Sequence, residues 1–63
     1  MRDINRIFPF CGKLASAWMN FPDWRFGQFI VNFLKWYGAD PFYLEDDKFE
    51  ELLLKYVEEI KRR

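Results

Sequence analysis

Histidine is absent from this chain, and with it the side chain that most often serves as general base or metal ligand near neutral pH. The single cysteine, Cys11, allows no internal disulfide and has no imidazole to activate it as a nucleophile. It reads as a small buried apolar residue. No set of side chains has zinc-ligand spacing, and no 12-residue acidic loop with a central glycine offers a calcium site. No apolar run approaches the roughly 18 residues of a membrane span; the longest, Phe29 to Leu34, is interrupted by Asn32. Neither charge is in excess: ten basic and ten acidic residues cancel, so nothing draws the whole chain toward nucleic acid or anionic lipid. A lone cysteine without a secretory signal fits a reducing, cytoplasmic setting.

Aromatic surface is what the chain has in quantity. Three tryptophans, three tyrosines and eight phenylalanines stand among 63 residues. A folded 7.8 kDa monomer exposes about 4,400 Å², against about 11,300 Å² for the open chain. Burying the difference, about 60% of it apolar, contributes on the order of 100 kcal/mol, and ordering the chain costs roughly 95 kcal/mol. The two cancel to within a few kcal/mol, and chains this small are commonly secured by disulfides, metals or oligomerisation. With the first two excluded, a homodimer is the expectation.

Apolar spacing points to three helices. Ile4, Ile7, Phe8, Cys11, Leu14 and Trp18 recur at helical intervals, with Pro9 inside the segment. The helix is expected to start near Pro9 or to kink there, and to reach about Asn20 with irregularity around Phe8 to Gly12. Phe21-Pro22-Asp23 reads as a stop and restart, with Asp23 capping a second helix from Trp24 to Tyr37. Its stripe is Phe26, Phe29, Ile30, Phe33, Leu34 and Tyr37, while Trp24, Val31 and Trp36 fall outside it. Gly38 suits its C-terminal cap. After Asp40-Pro41, Phe42 and Tyr43 are expected to plug the open end of the helical cluster, and Asp46 or Asp47 to cap a third helix. Asp47 and Glu50 have capping-box spacing. Phe49, Leu52, Leu53, Tyr56, Val57 and Ile60 form its stripe. The fold expected is all-α: one small three-helix domain over residues 1–63, with helices about 9–20, 24–37 and 47–61, completed by homodimerisation.

Charge is segregated along the chain. Residues 1–36 sum to +3, residues 37–51 to −5, and residues 52–63 to +2. The acidic stretch Glu45, Asp46, Asp47, Glu50 and Glu51 reads first as helix-dipole compensation and second as a recognition patch. Arg25 is placed to pair with Asp23 or to reach the 45–47 cap. Gly27 is expected where another backbone approaches closely. Two readings stand open for Gln28 and Asn32: a buried hydrogen-bonding pair or a solvated edge. Core or interface use is the reading for Trp18, Trp24, Phe26, Phe29, Phe33, Trp36 and Tyr37, ahead of a stacking platform for single-stranded nucleic acid.

The segments Pro22-Asp23-Trp24-Arg25-Phe26-Gly27-Gln28-Phe29-Ile30-Val31-Asn32 and Asp40-Pro41-Phe42-Tyr43-Leu44-Glu45-Asp46-Asp47 resemble a set of short uncharacterised bacterial and phage open reading frames. The resemblance covers roughly residues 18–56, and Pro9 and Gly12 depart from its first helix. It implies a small helical protein, often carried on mobile elements, with no assigned reaction. The function expected is therefore non-enzymatic: a homodimer that binds and inhibits or modulates a host protein, for example as an anti-defence inhibitor. The alternative is a small nucleic-acid-associated regulator using Arg2, Arg6, Lys13 and the Lys61-Arg62-Arg63 tail. No catalytic residue, metal ligand, cofactor or membrane partner is expected.

Overall fold

Pro9 does not break the first helix, because it stands where a helix has no amide bond to lose. In the structure, a computed structural model describing residues 2–62, a 3-10 turn over Ile4–Arg6 runs directly into α1, Ile7–Trp18. Pro9 is the third residue of α1, among the first amides that lack an intrahelical partner in any helix. The helix is unbroken through Phe8 to Gly12, so the irregularity expected there is absent. Asp3 opens the turn by accepting the Asn5 N–H at 2.9 Å. At the other end α1 stops at Trp18, and the Asn20 amide donates to the carbonyls of Ser16 and Ala17.

The second helix, α2, spans Phe26–Tyr37 and begins two residues later than expected. Asp23 is not its cap. Arg25 takes that position in extended conformation, and its N–H donates to the Gln28 side-chain oxygen at 2.7 Å. A guanidinium has no acceptor to offer in return, so only half of a capping box forms. Gln28 and Asn32 are both exposed, which leaves the solvated-edge reading with a capping duty for Gln28. Gly38 closes α2 at φ 79°, in the left-handed region glycine adopts without strain, and donates to Leu34 O.

The third helix, α3, covers Asp46–Lys61. Glu45 precedes it, and its side chain makes no capping bond. Asp46 and Asp47 lie in the first turn, where carboxylates suit the helix dipole. The expected Asp47–Glu50 box does not form; Asp47 instead accepts from the Lys48 N–H. All three elements are helices and no strand occurs among the described residues, so the all-α three-helix expectation holds.

α3 is the spine. α1 runs parallel to it, since Arg6, Lys13 and Asn20 meet Asp46, Glu50 and Lys61 in the same order along both helices. α2 packs across α3 through Phe29 and Phe33, neither of which exposes any surface. The Tyr56 ring is the hub, with the rings of Phe29, Phe33, Trp36 and Phe21 all within 6.3 Å. Leu53, Val57 and Ala17 complete the buried core.

This core is short for the molecule. The domain measures 40 × 23 × 20 Å, whereas the 12 residues of α2 reach only about 18 Å. Ile4, Ile7 and Phe8, at the start of the first helical segment, stay exposed. The exposed area is 5,184 Å², some 800 Å² above the roughly 4,400 Å² typical of this mass.

Candidate interaction surface

The seven aromatic residues picked out in the sequence divide. Phe29 and Phe33 are fully buried, and Trp18, Trp24, Trp36 and Tyr37 are half-buried. Phe26 is 46% exposed at the start of α2, its ring 5.4 Å from Trp18. Trp18 donates its indole N–H to the Trp24 carbonyl at 2.8 Å, and Trp24 stacks on Phe21 at 4.5 Å and 13°. Trp36, outside the expected stripe, stacks on Phe33 and donates to Glu59. Phe10 and Phe21 belong to the packing against α3 and were absent from the sequence-derived stripes. Phe10 meets Phe49 edge-on at 5.6 Å. Their signal was the set Phe10, Leu14, Ala17, Phe21, spaced as well as the stripe chosen for α1.

The acidic and basic candidates are brought to each other. Arg2 meets Glu45 at 3.0 Å, Arg6 meets Asp46 at 2.7 Å, and Lys13 meets Glu50 at 3.3 Å. Lys48 takes Glu51 along α3 itself at 3.2 Å. Of the five acidic positions, four are thus held by cations of the same chain. Among the described residues Arg25 pairs with neither Asp23 nor the 45–47 stretch; Arg2 and Arg6 tie the start of α1 to the start of α3 instead. Lys61 donates to the Asn20 side-chain oxygen. Arg62 is exposed, and Arg63 lies outside the described residues.

The exposed surface also carries large apolar side chains. Ile4, Phe8, Phe42 and Tyr43 are 73%, 87%, 77% and 89% exposed. Phe42 and Tyr43 do not plug the cluster. They form a turn that projects from it, rings edge-to-face at 4.8 Å, with Asp40 accepting the Phe42 N–H. The Arg2–Glu45 and Arg6–Asp46 pairs bring this turn to the same end of the molecule as Ile4 and Phe8. Cys11, expected to be buried, is exposed on α1. Among the described residues nothing lies within 4 Å of where a Cβ on Gly27 would stand, so no described backbone approaches it.

A groove of about 450 Å³ runs between α1 and α3, floored by Ala17, Leu53, Leu54 and Val57. Its rim holds Lys13 and Glu50, already paired with each other. Among the described residues no group of three or more histidine, cysteine, aspartate or glutamate side chains is placed to hold a metal ion. No helix among them is long and apolar enough to cross a membrane. No protein family, curated protein or solved structure matches the chain.

Proposed function

We propose that the chain is a non-enzymatic interaction protein, a homodimer that docks on a second protein and modulates it. The observation that carries this reading is the Phe42–Tyr43 turn. Its two aromatic rings stand more than three-quarters exposed, together on the order of 350 Å² of aromatic surface. Exposed apolar patches of this size on small proteins mark interaction sites, and aromatic anchors dominate the energetics of such contacts. The target suggested by the resemblance over residues 18–56 is a host protein, with inhibition as the outcome.

The nucleic-acid alternative is weakened by the ion pairs. Arg2, Arg6 and Lys13 are engaged by Glu45, Asp46 and Glu50, so a phosphate backbone would have to displace carboxylates. The same pairs argue against an acidic patch that mimics phosphate.

Affinity capture from a host lysate, with wild type and Phe42→Ser/Tyr43→Ser side by side, tests the reading. A protein retained by wild type, lost by the double variant and held with little salt dependence supports it. Capture that is nuclease-sensitive and falls steeply with salt supports the nucleic-acid alternative and sinks the proposal.

A further inference from the structure

We infer that the uncovered face of α1 is a two-fold interface for a second copy of this chain, α1 against α1 antiparallel, about an axis between Cys11 and Gly12. This rests on the self-association in the reading above and assigns it a surface.

Ile4, Phe8, Cys11, Ala15 and Met19 recur at spacings of four, three, four and four, from the 3-10 turn to the residue after α1. Such spacing sets side chains in one row along a helix and is the seam of paired helices. All five are exposed, Phe8 at 87% and Met19 at 76%, and none is charged. An apolar row of this kind, left outside the core, lacks a partner among the described residues.

The row is also self-complementary. An isologous interface requires one surface to fit itself after a two-fold rotation. Rotation about the point between Cys11 and Gly12 sets Phe8 opposite Ala15 of the second copy, Ile4 opposite Met19, and Cys11 opposite Gly12. Large faces small at Phe8, and the smallest side chains lie at the crossing, where two backbones come closest.

Gly12 supplies a separate observation. Glycine within a helix is disfavoured relative to alanine, and nothing among the described residues lies within 4 Å of where its Cβ would stand. A second helix crossing at that point gives the missing side chain a purpose. The area agrees as well. The whole molecule exposes about 800 Å² more than is typical of its mass, and a standard interface covers about that much on each partner.

The test uses the whole chain at micromolar concentration. Cys11 is the single cysteine, so a short bis-maleimide linker reports whether two copies of it approach. Wild type is expected to give a covalent dimer. Phe8→Asp and, independently, Ala15→Arg are each expected to weaken dimerisation at least tenfold by sedimentation equilibrium and to suppress the cross-link. Both side chains point to solvent, so circular dichroism should show the helices intact. Phe42→Ser/Tyr43→Ser is expected to remain dimeric. A wild-type dimer in which Cys11 stays uncross-linked, or which keeps its affinity within tenfold in both α1 variants, overturns this face while leaving self-association standing. A monomeric wild type overturns both.

Discussion

Phe33 and Phe42 have the same side chain and opposite surroundings. Phe33 meets the rings of Phe49, Trp36 and Tyr56 at 5.1–6.0 Å and exposes nothing. Phe42 is 77% exposed and touches mainly its neighbour Tyr43. Phe33→Ala is expected to cost about 3–5 kcal/mol of folding stability through the cavity it leaves. Phe42→Ala should stay within about 0.5 kcal/mol of wild type, as surface substitutions usually do. Urea denaturation of both variants reads the contrast, and equal losses would return Phe42 to the plugging role. A second residue-scale outcome concerns Gly38. Its positive φ is unfavourable for any side chain, so Gly38→Ala is expected to cost about 1 kcal/mol in the same assay even though space for a methyl is open.

At the scale of elements, α3 was legible in the sequence because it has one apolar face. Phe49, Leu52, Leu53, Tyr56, Val57 and Ile60 are all buried or half-buried in the structure. α1 was not, because it carries two rows at helical spacing. The row through Phe10, Leu14 and Ala17 faces α3, and the row through Phe8, Cys11 and Ala15 faces outward. Periodicity alone ranks these equally, and only the placement of α3 decides between them. The helix starts were misread for a related reason. Asp23 and Asp47 are good capping residues by type, but the turns at Phe21–Arg25 and Asp40–Glu45 fix where the backbone enters the helix. Of the candidate surface, the sequence showed the surplus of aromatics and the segregated charge, and missed that the two charged stretches pair. Three pairs join the starts and middles of α1 and α3, each of the kind that contributes about 0.2–1 kcal/mol when exposed. A double-mutant cycle on Arg6→Ala and Asp46→Ala is expected to return a coupling in that range that shrinks with added salt. A coupling of zero at low salt would mean that the two helix starts are not tied by charge.

The whole molecule exposes more than a chain of its mass should. Roughly 800 Å² of surplus surface withholds on the order of 10 kcal/mol of apolar burial from a domain whose opposing terms already nearly cancel. An interface that covers the α1 row restores burial of that order and leaves the Phe42–Tyr43 turn free to meet another protein. On the proposed reading, self-association and target binding use different surfaces of one small fold. The most direct measurement is sedimentation equilibrium of the wild-type chain from below to above micromolar concentration. A mass rising from 7.8 kDa toward twice that value is the expected result. A mass that stays at 7.8 kDa across the range, with the helices folded throughout, would contradict it.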